Sequence, residues 1–310
     1  MILTLTANPA IDRNVTVDRL VFDDRAYILD TRMAAGGRGI NASCVIHAFG
    51  GKTLAIAVCG GKAGRQLEEF LGCCGFPCEL VRVRSEIRTN LTIADKHGLA
   101  IKLNEIGPEL SASEVARLEK TVRSKLRGAQ WLMLCGSLPP GVPADFYARL
   151  IRAAEEAGVQ TLLDADEGAL EAAMDAHPTV VTPNQQEAER LLSRALLTRA
   201  HFQEAAERLR GMGARNVVLS LGARGAVGAF EDGSVWEAAP PRVEALCPIG
   251  AGDALAAAFV WALTNDATRP EALQWGVAAG TASARLPGVS FATLEQTREI
   301  LARVTLERAA

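Results

Sequence analysis

A chain of 310 residues, 49% apolar, 22% charged and with a net charge of -3, is long enough to bury a large core as one α/β unit or two smaller ones. No Lys/Arg run and no acidic tail occurs, and no apolar run has membrane-spanning length. Composition therefore argues against a nucleic-acid footprint and against a membrane span.

The first residues, MILTLTANPAID, carry no charged region ahead of their apolar run. They read as a strand rather than a secretion signal, and the expected compartment is the cytoplasm. The segment RNVTVDRLVFDDRAYILDTRMA then alternates without helical signals. A helix follows in INASCVIHAFG, stopped by Gly50 and Gly51, then a strand in TLAIAVCGG and a helix in GRQLEEFLGCCG. Period-two alternation on both sides of DKHG predicts a hairpin in TNLTIADKHGLAIKLN. Ser111 and Glu114 open the next helix as a capping box. WLMLCGSLPPGV is a buried strand running into a stiff loop. PADFYARLIRAAEEAG is helical, TLLDA and VVTPN are strands, QQEAERLL is a helix and NVVLSLG a strand.

Strand–helix alternation with continuously apolar strands predicts βαβ units and a parallel sheet covered on both faces. No linker or repeat interrupts it, so one domain spanning 1–310 is expected. The two β excursions, about 12–34 and 86–105, would form a small sheet lying over the site as a lid that excludes water. The seven cysteines do not form a framework. Cys73, Cys74 and Cys78 cluster without a second CxxC or a neighbouring histidine, so reduced thiols are expected rather than zinc. His47, His97, His177 and His201 stand in unrelated contexts.

Several glycine stretches carry the chemistry. In GAGD, residues 250–253, the glycines open an apolar helix whose first N–H groups and dipole suit an anion. Asp253 beside such a site is either a cap or the acceptor of a proton from a nucleophile. AAGGRGINAS opens a second helix: Gly36 and Gly37 let a ligand touch backbone, Arg38 supplies charge and Asn41 an amide. It does not match GxGxxG, so a Rossmann dinucleotide site is not indicated. Asn184 and Glu187 in PNQQE form an N-cap pair that could also hold hydrated Mg²⁺. LSLGARGAVGAF is a strand, a glycine turn and a strand. Ser137 in GSLPPGV lies where strand C-termini gather, and Arg88 precedes the hairpin.

The order NPAID, GGRGIN, RTN, GSLPPG, PNQQE, SLGARGA and GAGD, over nearly the whole chain, resembles the ribokinase-like (PfkB) carbohydrate kinases. Within them it is most similar to the hexose-phosphate branch of 1-phosphofructokinases, minor 6-phosphofructokinases and tagatose-6-phosphate kinases. The resemblance implies a ribokinase-like three-layer α/β sandwich with a mostly parallel central sheet and a small β lid that pairs with a second subunit's lid in a homodimer. It implies ATP and Mg²⁺ as cofactors and a small sugar phosphate as partner. It implies Asp253 as base, with the backbone of Gly250, Ala251 and Gly252 as anion hole. Asp12, Gly36, Gly37 and Asn41 would hold the sugar, and Arg88 with Arg25, Arg38 and Ser137 its phosphate. Asn184 and Glu187 would organise Mg²⁺ through water. Ser220, Gly222 and Gly225 would line the nucleotide site. An ordinary aspartate, pKa roughly 4, suffices as base.

Three positions depart from the family pattern: Arg38 for Lys or Gly, Thr182 for Lys, and Cys247-Pro248 for Asp/Ser-Thr. Arg224 is a candidate to compensate for Thr182. The expected reaction is phosphorylation of fructose 1-phosphate to the 1,6-bisphosphate. Fructose 6-phosphate and tagatose 6-phosphate are the next acceptors. A kinase of an unphosphorylated sugar or nucleoside, and a sugar-phosphate-binding protein of weak catalysis, are the alternatives.

Overall fold

The computed structural model of the protein describes residues 1–21, 24–95 and 99–309. Its centre is a ten-stranded sheet. Parallel strands follow one another in the spatial order β5 (Cys78–Arg82), β4 (Thr53–Cys59), β1 (Ile2–Thr6), β8 (Trp131–Cys135), β9 (Gln160–Asp164), β10 (Val180–Val181) and β11 (Asn216–Ser220). Antiparallel strands β12 (Ala226–Ala229), β13 (Val235–Ala239) and β14 (Thr305–Arg308) extend it beyond β11. The sequence reading anticipated β12 but not β13 or β14. The VVTPN strand shrinks to two residues because Pro183 has no N–H to continue the ladder.

Helices cover both faces. On one lie α2 (Gly61–Gly72), α3 (Ala112–Lys125), α4 (Phe146–Glu156), α5 (Glu167–Met174), α6 (Gln185–Leu191) and α7 (Arg199–Gly211). On the other lie α1 (Arg38–Ala48), α8 (Ala251–Leu263), α9 (Arg269–Ala284) and α10 (Leu294–Leu301). The alternation of β1 shows how one strand serves two layers: Leu3 and Leu5 join the first core, Ile2 the second. Thr4 faces α1, where its hydroxyl meets Ser43 at 2.8 Å, and Ser43 meets Thr53 at 2.8 Å. That buried chain, with the Ile40 N–H donated to Thr6 Oγ1 at 3.0 Å, fixes the start of α1 on the sheet.

The two β excursions join into a four-stranded sheet, β3 (Ile28–Gly36), β2 (Ala10–Val17), β6 (Arg88–Asp95) and β7 (Ala100–Asn104), in that order. β2 and β6 pair in parallel and the outer strands antiparallel. The expected turn between β6 and β7, including His97, lies outside the described residues. Among those residues no helix is long and apolar enough to cross a membrane.

Candidate active site

The proposed site residues gather where the parallel strands end, the position at which open α/β sheets bind ligands. Asp253 stands in the first turn of α8, behind Gly250, whose φ of 81° is the left-handed conformation that glycine tolerates. The Ala251 N–H is donated to the Pro248 carbonyl at 3.2 Å, and the Ala254 N–H to the Gly250 carbonyl at 2.9 Å. The donors that α8 leaves for an anion are therefore those of Gly252 and Asp253, and Ala251, expected in the hole, spends its N–H within the turn. A Cβ at Gly252 would meet nothing, so its backbone is approachable.

Asn41, one turn into α1, donates from Nδ2 to Asp253 Oδ2 at 2.7 Å across 212 residues of chain. Burial pushes Asp253 up to about 7, and the neighbouring Asp164 carboxylate adds to the rise; the Asn41 amide and the Arg38 charge oppose it. This departs from the ordinary aspartate the sequence suggested, because no motif announces that Asp253 is buried or that a second carboxylate closes β9.

The small sheet presents the facing groups. Asp12 on β2 accepts from Asn90 Nδ2 at 2.8 Å, on the paired strand β6. Burial raises the Asp12 pKa, while the Asn90 amide and the Arg88 charge restrain it. Any Cβ at residue 36 would fall 2.4 Å from the Asp12 carboxyl, which is why glycine is needed there. Gly37, with φ of 131°, closes on Thr6 and caps α1. Arg88 donates to the carbonyls of Glu105 and Asn8, both at 3.0 Å, and its buried Nε has no partner in the chain. Asn8 Nδ2 in turn donates to Ser137 Oγ at 3.1 Å and to the Ile106 carbonyl at 2.9 Å. Asn8 Oδ1 and Asn90 Oδ1 are likewise buried without partners. Unpaired buried polar atoms call for a ligand or water.

Two expectations shift. Arg25 lies beyond Val17 in the connection to β3 and is exposed. At about 3.3 Å per strand residue, that end is roughly 17 Å from Asp12, so Arg25 does not reach the site of its own chain. Arg38 lies close enough to Arg88 to repel it, but its hydrogen bonds go to carboxylates. Its guanidinium donates to Asp164 Oδ1 at 2.9 Å and to Asp166 Oδ1 at 2.7 Å, with Glu187 Oε1 at 3.8 Å.

Asn184 and Glu187 form a full capping box on α6: Asn184 Oδ1 accepts the Glu187 N–H at 2.9 Å, and Glu187 Oε2 accepts the Asn184 N–H at 2.9 Å. The Glu187 Oε1 atom is left facing Arg38. Cap and site coexist in one residue pair. Burial raises the Glu187 pKa against the pull of the Asn184 N–H. Ser220 ends β11 and bridges to Asn184, and Gly222 (φ 58°) and Gly225 (φ 99°) shape the turn into β12. A Cβ at Gly225 would strike the Ala238 carbonyl at 2.0 Å. Thr182 Oγ1 is buried and unpartnered. Arg224, suggested as its compensator, donates to Gln185 and stacks over the Phe202 ring at 4.7 Å.

Sequence reading passed over Asp164, Asp166, Asn8 and Asn90. The first two close and follow a buried strand, the same signal that singled out Ser137. The asparagines sat inside quoted motifs, but only their packing partners give them a role.

The pfkB family carbohydrate kinase pattern matches residues 5–296. The chain is 31% identical over 304 residues to the ATP-dependent 6-phosphofructokinase isozyme 2 of Escherichia coli (strain K12), covering 97% of this chain and 98% of that protein. It is 26% identical to the 1-phosphofructokinase of Borreliella burgdorferi, covering 99% and 98%. The crystal structure of Escherichia coli phosphofructokinase-2 in complex with substrates and products superimposes with a TM-score of 0.91 at 31% identity, covering 97% and 98%. Motif order, layered fold and matched family agree: the chain belongs to the pfkB family of carbohydrate kinases, ATP-dependent phosphotransferases acting on an alcohol group.

Proposed function

We propose that this kinase phosphorylates a ketohexose phosphate, with fructose 1-phosphate as first acceptor. The observation that carries the reading is the Asn41–Asp253 pair at 2.7 Å, which holds a carboxylate at the mouth of α8 beside unspent N–H groups. The acceptor hydroxyl gives its proton to Asp253 while its oxygen bonds to the transferring phosphorus and the bond to the leaving ADP breaks. The Gly252 and Asp253 N–H groups receive the charge on the phosphoryl oxygens. Asp12, held by Asn90, takes sugar hydroxyls. Arg88, with its unpaired Nε, and Ser137 take the phosphate already on the acceptor.

The nucleotide end suits its group: Gly222 and Gly225 shape the turn, and the orphaned Thr182 hydroxyl lies two residues before Asn184, which bridges to Ser220 at the start of that turn. Asn184 and Glu187 would hold Mg²⁺ through water, and the ion when bound neutralises phosphate charge. The 31% identical relative favours a second reading, fructose 6-phosphate as acceptor. The two acceptors give one bisphosphate from opposite ends.

The small sheet leaves Tyr27, Ile28, Leu29, Met33 and Leu103 exposed in the single chain. We propose that the sheet of a second copy covers them. Arg25 keeps its substrate role only across that interface, in the partner copy's site. Sedimentation at micromolar concentration should give a dimer, and Leu29→Asp a monomer.

The deciding experiment is ADP formation from Mg-ATP over fructose 1-phosphate, fructose 6-phosphate, tagatose 6-phosphate, fructose, ribose and adenosine. Turnover of one phosphorylated ketohexose, lost in Asp253→Asn, is expected. Turnover of only an unphosphorylated acceptor would overturn the reading.

A further inference from the structure

Four elements meet on one guanidinium. Arg38 is the first residue of α1. Asp164 closes β9, Asp166 precedes α5, and Glu187 lies in the first turn of α6. Nη1 serves Asp164 and Nη2 serves Asp166 and faces Glu187. The planar fork is thus divided between two carboxylates, an arrangement a lysine ammonium can match in charge but not in geometry, and it is spent before any substrate arrives. The side chains of Asp164 and Glu187 are only 12% and 10% exposed. Buried carboxylates of this kind need a counter-charge nearby. Burial raises both pKa values and Arg38 restrains both.

We propose that Arg38 is a built-in counter-ion of this site: a positioning residue that binds Asp164, Asp166 and Glu187 into one cluster and takes the place a further cation would otherwise take among them. The negative charges around it come from β9 (Asp164), the β9–α5 connection (Asp166), α6 (Glu187) and α8 (Asp253), and Arg88 on β6 is the neighbouring cation. With Arg38 present, these carboxylates can coexist beside the base without a cation beyond the Mg²⁺ proposed at Asn184 and Glu187. The role in catalysis rests on the kinase reading above; the counter-ion role does not.

The role separates cleanly from contact with a substrate phosphate. Mn²⁺ binding to the nucleotide-free protein, followed by electron paramagnetic resonance, reads the cluster without turnover. Arg38→Met should gain a Mn²⁺ site about tenfold tighter than any in the wild type, since three carboxylates lose their internal cation. The double variant Arg38→Met/Asp166→Asn should lose that gain. In turnover, Arg38→Met should lower kcat while the acceptor KM stays within about threefold, and Arg38→Lys should recover part of kcat. Unchanged Mn²⁺ affinity in Arg38→Met would overturn the proposal. So would a tenfold rise in acceptor KM at constant kcat, which would return Arg38 to the phosphate. Should Arg38→Met not fold, Arg38→Met/Asp164→Asn removes both charges of the buried pair. That variant should fold with an unchanged acceptor KM, and a raised KM there would equally overturn the proposal. A protein that turns over no sugar phosphate would still show the Mn²⁺ gain, so failure of the kinase reading and failure of this one are distinct.

Discussion

The Asp253 end and the Asn184 end of the site are built in opposite ways. At the first, each functional group is placed by a partner far away in the chain: Asn41 on Asp253, Asn90 on Asp12, Ser137 on Asn8. Buried polar atoms there remain unpaired. At the second, the work is local. Asn184 and Glu187 cap each other three residues apart, and the Ser220–Gly225 turn closes on itself through Leu221 N–H to the Gly225 carbonyl at 2.8 Å. A site assembled from distant elements holds its groups away from water and shifts their pKa values. A site assembled from caps fixes its groups within one turn, although burial raises Glu187 there too.

Breaking that contrast begins with the largest effect. Asp253→Asn keeps the shape and the Asn41 contact but removes the base, and kcat should fall about 10²- to 10⁴-fold. The same change should stabilise the fold at alkaline pH. Asp253 is raised in the folded protein, so its contribution to stability is present below the ordinary aspartate pKa and is lost as pH rises through about 7. Melting at pH 5 and pH 8 checks this: the variant's advantage in Tm should appear at pH 8. Equal Tm differences at both values would show that Asp253 titrates normally.

Arg88→Ala comes next. A charge-assisted hydrogen bond is worth about 1.5–3 kcal/mol, so the acceptor KM should rise about 10- to 150-fold. Arg88 also ties the Glu105 and Asn8 carbonyls. Arg88→Lys therefore belongs beside it, restoring charge without the fork. An acceptor KM unmoved in both would remove the phosphate role.

How much of this could be read in advance follows the same division. Strand–helix alternation announced the parallel sheet, and period-two runs announced β2, β3, β6 and β7, because burial on two faces or one leaves a periodic trace. The capping boxes of α3 and α6 were legible because both partners lie within four residues. Asp164 was not legible: it closes an apolar strand, and nothing within the strand reveals that α1 delivers Arg38 to it. Arg38 itself was read as a phosphate ligand because residue type and glycine context say cation, while only packing says which anion. β13 and β14 were missed because they are short and take their register from neighbouring strands, β13 from β12 and the exposed β14 from β13.

The pH profile sharpens the comparison further. Asp253 must be ionised to accept a proton, so kcat/KM should fall as pH drops through about 7. The Asn41 amide favours the charged form, and Asn41→Leu, which deletes it, should move that inflexion upward. The loss should therefore be greatest at pH 6 and smallest at pH 9. A profile displaced downward, or one flat from pH 5 to 9, would sever the Asn41–Asp253 link.

The smallest effect belongs to the locally built end, and it separates the two duties of Asn184. Asn184→Ala removes the cap, costing about 1 kcal/mol, which lowers Tm by roughly 1–2 °C in a chain of this size. Asn184→Ser keeps an oxygen for the Glu187 N–H and should leave Tm unchanged. If Asn184 only caps, the Ser variant turns over normally at every Mg²⁺ concentration. If its amide also orders the hydration of the ion, the Ser variant needs more Mg²⁺, within about tenfold for one neutral hydrogen bond. Loss of both Tm and turnover in the Ser variant would mean that the amide, rather than the oxygen, holds the end of the helix, and the picture of an ordinary cap would fail.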